Sequence, residues 1–501
     1  MSGTLGNTYN NISFALNLHS EVMARLQEQV STGARINRAS DSPSAAYRIL
    51  GLNSEERLLD NYIENLSDVI STVELSSNII ADMLSGLTGS QGVKTRLTQI
   101  TSGTYSAEGR KNTAEGIDEQ LEQMLMLANT KRIGQYLFGG SNTSSAPYVA
   151  TRDGNGKITK VTYNGSLVGR DIEVAPGVES SALYVGDNIF RSNDRGTPQF
   201  ILGNTGVTAG TGTSSVTGFT WLTVADAVNE KQTITITGGP PTSGQINIAF
   251  GAADVEVDFD ADAATVQAAL EGLGTIGAGN VSCSGTSFTD TDGITIEFTG
   301  ALELTNVEEM VVSNSIIDPL DAGAPAISTD TDGGKQLSID GGTAVGIPIG
   351  DKTNVAITNP DGQVLYVNAA GIINVGVELV AVPGTHDIFN TLITIRDLLK
   401  NEKGHTDVQS RELLNNSFDS LNELSNLLAQ TQATVGSRIN FLDTLEDNLT
   451  NMKYNTEDET TRLEEADIAQ LAIDLSRREV LYQMSLAMAA KLMSMSLLDF
   501  L

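Results

Sequence analysis

Four chemically capable residues crowd into "GARINRASDSP" (33–43): Arg35, Arg38, Ser40 and Asp41. Two guanidinium groups beside a hydroxyl and a carboxylate would suit phosphate binding or acid–base work. The stretch lacks the Gly-x-x-x-x-Gly-Lys-Ser/Thr spacing and does not follow a strand pattern, so no phosphate cradle is expected. Gly33 suits a helix C′ position, while Asp41 or Ser42 can cap a new helix with Pro43 in its first turn. The arginines are then free to bond backbone carbonyls or acidic residues of neighbouring subunits. A corner that also contacts neighbours, its charges engaged only once they arrive, is the expectation.

The second constellation is acidic. In "DVEVDFDAD" (254–262) alternation is expected to place Asp254, Glu256, Asp258, Asp260 and Asp262 on one strand face. Carboxylate oxygens suit calcium, so these five are metal candidates on ligand type alone; a solvated strand face is the usual outcome. The three histidines, His19, His386 and His405, are isolated, and no His-Glu-x-x-His pair exists for zinc. A lone Cys283 excludes an internal disulfide framework. No nucleophile–base–acid set is visible. The expectation is no catalytic residue, no cofactor and no enzyme.

The elements that must position these residues change along the chain. Leu5, Tyr9, Ile12, Leu16, His19, Met23, Leu26 and Val30 alternate at spacings of four and three, a coiled-coil seam with one polar member. Leu59, Ile63, Leu66, Ile70, Val73, Ser77, Ile80, Leu84 and Leu87 form a second seam, which "GLTGSQG" (86–92) breaks. The C-terminal third mirrors this. Ile388, Leu392, Ile395 and Leu399 open a helix that "NEKGH" interrupts, and a seam then runs from Leu428 through Val435, Arg438, Leu442 and Leu449 to Met452. "KYNTEDETTRLEE" reads as a loop in which Thr461 and Glu464 cap the last helix. In that helix, apolar residues from Val480 to Leu501 occupy every face, which a lone soluble monomer cannot cover.

Between about 141 and 385 the texture is glycine, threonine, serine and aspartate. Period-two stretches such as "KQTITIT" (231–237) and "GITIEFTG" (293–300) read as strands, and "DAATVQAALEGLG" as a short helix capped by Asp262. The expected fold class is therefore mixed and multidomain: a long α-helical coiled coil or bundle from both termini around a β-rich middle.

Charge and length set the outer limits. The 501 residues carry 62 acidic and 30 basic side chains, a net charge of −32, and residues 201–350 alone hold 19 acidic against two basic. Such a surface repels polyanions, so no nucleic-acid partner is expected. No charged residue precedes Glu21 and no apolar core of signal-peptide type follows, so no cleaved Sec signal is expected. No run of 18 apolar residues suggests a membrane span, and with Lys491 the only base in 480–501 the tail lacks the basic face of a membrane-surface helix.

"QEQVSTGARINRASDSPSAAYRIL" (27–50), "RIGQYLFGGSNTSSAPY" (132–148), "KVTYNGS" (160–166) and the final "SLLDFL" together resemble the flagellin superfamily of axial filament proteins. Gly33, Arg35, Ile36, Asp41, Pro43 and Ala46 carry the first match; Tyr136, Leu137, Phe138, Gly139, Gly140 and Pro147 the second. "YLFGG" and the "SDSP" elbow are most similar to the members that join hook to filament. The stretches 233–250, 264–285 and 294–307 resemble a repeat module of large bacterial surface proteins, which implies a β-sandwich-like insert.

The resemblance implies seven segments: 1–48, an inner-tube helix and elbow; 49–140, bundle; 141–230, β-rich outer domain; 231–315, inserted module; 316–385, outer domain again; 386–455, bundle; and 456–501, inner-tube helix. It implies subunit contacts at Leu5, Ile12, Leu16, Met23, Leu26, Val30, Arg35, Asp41, Ile468, Leu471, Leu475, Met484, Met488, Leu492, Leu498 and Phe500. The implied partners are copies of the chain in a ring, the preceding hook-associated protein, flagellin and an export chaperone, outside the cell on the flagellum. Two other functions stay open: a filament flagellin, or a surface adhesin or calcium-dependent glycan-binding protein acting through 200–350.

Overall fold

The computed structural model describes residues 2–102, 106–236, 243–317 and 324–498. Its helices are α1 (Ser2–Thr32), α2 (Pro43–Thr88), α3 (Val93–Ser102), α4 (Ala107–Ala128), α5 (Gly186–Phe190), α6 (Ala263–Glu271), α7 (Ile388–Lys400), α8 (Asp407–Glu464) and α9 (Ile468–Leu498). Long helices at both ends and strands between them give the mixed, multidomain class expected. Two compact units form: one of Met1–Leu75, Arg170–Ala182 and Val435–Leu501, the other of Ser76–Gly169 and Leu183–Thr434.

In the first unit α1 and α9 run antiparallel, with His19 Nδ1 3.4 Å from Arg478 Nη1 and Ala34 bridged to Glu465. Leu59, Leu66, Ile70 and Val73 of α2 are buried, as are Val435, Leu442 and Leu449 of α8. Salt bridges Lys453–Asp60 (2.7 Å) and Arg48–Glu459 (2.5 Å) tie the two helices along their length. A hairpin of strands Arg170–Ala175 and Val178–Leu183 is clasped by Arg438, whose Nη2 donates to Ser180 Oγ at 3.0 Å.

The loop expected at 453–464 is helix instead. Met452 is exposed, and the buried stripe moves to Thr456 and Thr460. Each hydroxyl donates back to the carbonyl four residues earlier, at 3.0 and 2.8 Å, so these polar residues sit on the covered face without an orphaned group. The cap of the last helix is accordingly not Thr461 but Asp467, whose Oδ1 accepts from Gln470 N at 3.0 Å.

The second unit is organised around α4 and α7. Ile117, Leu121 and Met124 of α4 and Ile388, Leu392, Ile395 and Leu399 of α7 are fully enclosed. Between them lies a buried ion network. Arg396, 3% exposed, donates from Nη1 to Asp118 Oδ1 at 2.9 Å and to the Ile158 carbonyl at 2.6 Å, while Lys157 reaches Asp118 from the surface. Burial opposes the Asp118 charge, but the hydrogen bonds from Lys157 and Arg396 together outweigh it and hold its pKa below the usual carboxylate range.

Beside this network Phe138, Tyr148, Phe190 and Phe389 form an aromatic cluster with centroids 4.7–6.3 Å apart. "YLFGG" builds one wall: Leu137 and Phe138 are buried, and Gly140, at φ +61°, has the carbonyls of Ser166 and Val168 within 2.6 Å of where a Cβ would stand. Just before it, strands Lys131–Arg132 and Gln135–Tyr136 turn through Ile133 and Gly134 at φ +49° and +77°. Such a two-residue turn asks for positive φ twice; a β-branched residue there costs about 1–3 kcal/mol.

The β-rich part holds two cores. In one, a five-stranded sheet places Gly218–Val228 between Gly334–Ile339 and Gly376–Val382, over buried Leu222, Leu337, Ile357 and Leu365. In the other, a four-stranded sheet centred on Lys231–Ile236 and Ile294–Phe298 shares Ile234, Ile246, Val257, Leu270 and Phe298 with a three-stranded sheet and α6. That four-stranded sheet takes an outer strand from Pro325–Thr331, past residue 315. Trp221, the single tryptophan, leaves this body on the outer side of its strand, stacked on His405 at 5.7 Å with Lys403 Nζ 4.6 Å from its ring.

Candidate assembly interface

Gly33, at φ +72°, ends α1 by donating to the Gln29 carbonyl at 2.8 Å, and α2 begins at Pro43. Between them the elbow is laid along the residues that join α8 to α9. Arg35 N donates to Glu464 O at 2.6 Å, Arg35 Nη2 to Leu463 O at 2.9 Å, and Ala466 N to Gly33 O at 3.0 Å. Asp41 Oδ2 accepts from the amides of Asn37 and Arg38 at 3.1 and 2.9 Å and so closes the elbow rather than capping the helix. Arg38 pairs with Glu28 at 3.2 Å.

These charges do not wait for a neighbour to be engaged. Arg35 and Asp41 are already bonded inside one chain, because the backbone of a tight corner must find partners locally. The effect is to splice the entrance of α9 to the exit of α1.

The paired helices α1 and α9 cover each other on one side only. Leu26 is buried, Ile12, Leu16, Met23, Leu471 and Leu475 are half-buried, and Val30, Ile468, Met484 and Met488 are exposed, the last two at 55% and 59%. Phe14, Leu18, Ile473, Val480 and Leu486 are exposed as well. Leu5, Leu492, Leu498 and Phe500 lie outside the residues whose side chains are described. The seam spacing missed Phe14 and Leu18. Their signal was present as a second i, i+4 apolar pair beside the first.

The residues with chemical potential elsewhere are dispersed. The strand Ala253–Asp258 presents Asp254, Glu256 and Asp258 to solvent; Asp254 accepts from Asn247 and Asp258 from Gln245. Asp260 and Asp262 lie beyond the strand, and Asp262 caps α6 through Thr265 N at 2.8 Å, so the five do not share one face. Among the described residues no three His, Cys, Asp or Glu side chains form a metal-sized group. Cys283 is half-buried, and burial, then Glu271, pushes its thiol up to about 12, far from a thiolate nucleophile at neutral pH. No described helix is long and apolar enough to cross a membrane.

His386 is 2% exposed, with its ring 4.6 Å from Phe219 and its amide donating to Glu423 Oε1 at 3.3 Å. Burial lowers its pKa, against the raising pull of Glu423 and Asp387. The unfolded chain therefore takes up a proton near pH 6.5 that the folded one refuses, and this contribution to stability, complete above that pH, is lost as pH falls. Thermal melts from pH 7.5 to 5.5 are expected to show a steeper loss for the parent than for His386→Phe, by at most about 1.4 kcal/mol per pH unit. Equal slopes would remove His386 from the account.

Comparison with known proteins fits this arrangement. Residues 7–143 match the bacterial flagellin N-terminal helical region and residues 418–501 the bacterial flagellin C-terminal helical region. The two helical ends are thus similar to the terminal regions of flagellins, with a β-rich part between them. More narrowly, the chain is similar to flagellar hook-associated protein 3 of Escherichia coli K12, 27% identical over 170 residues, which is 33% of this chain and 49% of that protein. It is also similar to flagellar hook-associated protein 3 of Salmonella typhimurium LT2, 28% identical over 139 residues, 28% of this chain and 43% of that one. The matched stretches span less than half the length of either relative. Among solved structures, flagellar hook associated protein-3 of Legionella pneumophila aligns over 83% of this chain and 98% of its own at 16% identity, with a TM-score of 0.41.

Proposed function

We propose that this chain is a structural, non-enzymatic subunit of the bacterial flagellum that joins the hook to the filament. The observation that carries it is the half-covered α1–α9 pair, with Met484 and Met488 more than half exposed on the helix whose entrance Arg35 helps hold to α1. Apolar surface left open on a paired helix is a face for further helices, and identical copies supply them. Copies of the chain then form a ring whose inner wall is α1 and α9, with the α2 and α8 layer around it and the β-rich domain outward. The seven-segment division of the chain belongs to the same proposal, as do the contacts of Arg35 and Asp41 with neighbours.

On this reading the ring meets the preceding hook-associated protein on one side and flagellin on the other, outside the cell. It reaches that place through the flagellar export route, escorted by a chaperone. A filament flagellin is the second reading, since the matching family regions are those of flagellin. Immunogold labelling of intact flagella separates them. A band at the hook–filament boundary is expected; label along the whole filament would replace the junction reading with the flagellin one.

A further inference from the structure

Ile133 is 81% exposed at the tip of its hairpin, in a left-handed conformation that glycine or asparagine would adopt with less strain. The free chain gains no packing in return for that strain. The tip is also basic in an acidic protein, with Lys131 and Arg132 on the strand that leads into it.

Elsewhere in the same unit lies an open cleft of about 490 Å³ with the opposite character. Glu308, Glu309 and Asp332 give it charge, and Val345, Pro348 and Ile349 give it an apolar wall, Ile349 being 48% exposed. Its acidic side is built firmly. Buried Glu230 and Gln232 accept from the amides of Val307 and Met310 at 2.6 and 2.9 Å and hold that segment in place.

We propose that the Ile133 hairpin tip of one copy docks into the Glu308–Ile349 cleft of a second copy, a contact that rests on the assembly reading above. The isoleucine meets the apolar wall while Lys131 and Arg132 face the carboxylates, so shape and charge agree. Tip and cleft are different surfaces of the molecule. The contact is therefore head-to-tail, the type that generates rings and helical strings rather than closed pairs.

The test joins the two surfaces covalently. Full-length chain carrying both Ile133→Cys and Ile349→Cys, treated with a short bismaleimide in isolated flagella, is expected to give a ladder of multimers, with each single variant remaining monomeric. Every variant also carries Cys283→Ser, so that the chain's own free thiol gives no background. Monomer alone, or a product cross-linked within one chain, overturns the contact. Ile133→Asn is expected to keep or raise the melting temperature of the free subunit while its incorporation into flagella falls about tenfold. A lowered melting temperature would mean that Ile133 serves the fold, which also overturns the proposal. If the ladder is missing while immunogold still marks the hook–filament boundary, this contact alone fails; chain absent from flagella removes the junction reading beneath it.

Discussion

Arg396→Ala is expected to destabilise the second unit by about 3–5 kcal/mol, the usual cost of leaving one member of a buried ion pair behind. Asp118, 4% exposed, would keep only Lys157, and the Ile158 carbonyl would lose its donor. Lys157 alone would balance the carboxylate, and Oδ1 would be left without its donor. A double variant, Arg396→Met with Asp118→Leu, removes both charges and is expected to recover much of the loss, because apolar residues of similar size often replace such pairs at little cost. Urea titration of the full chain measures this as the midpoint of the second unit's transition. A shift no larger than that of an exposed arginine substitution would reduce the network to a surface pair.

The second large effect concerns assembly rather than folding. Met484→Glu with Met488→Glu places two carboxylates on side chains now more than half exposed, so the free subunit should melt as the parent does. In the assembled state those positions would be covered, and burying an unpaired carboxylate costs several kcal/mol per site. Repeated around a ring, that penalty is expected to abolish incorporation: cells non-motile, with the variant chain free in the medium. Motile cells bearing the variant at the hook–filament boundary would show that this face of α9 stays open to solvent.

How far the sequence spoke depends on how near the interacting residues lie. The α2 seam was legible because its partners repeat every three or four positions, and Leu59, Leu66, Ile70, Val73, Ile80 and Leu87 are all buried. The cap at Asp262 and the strand Lys231–Ile236 were legible for the same local reason. The 453–464 stretch read as a loop for want of an apolar stripe, whereas its covered face is made by Thr456 and Thr460, which bond back to their own helix. Arg396–Asp118 and Arg35–Leu463 join residues 278 and 428 positions apart, and no pattern of spacing connects them. Within the candidate interface, the apolar excess of α9 could be seen in advance; which side α1 covers could not. The strain at Ile133 was invisible, since nothing in "KRIGQY" announces a left-handed isoleucine.

Trp221 has a practical consequence. As the chain's single indole, and part of the second unit, it makes ultraviolet emission a dye-free reporter of that unit alone. Its stack with His405 and the ammonium of Lys403 ties the colour and yield of that emission to the short corner between α7 and α8. Circular dichroism near 222 nm reads the helices of both units, α1 and α9 among them. One sample can thus be read in two channels, and if the helical ends melt before the outer domain the two curves will separate.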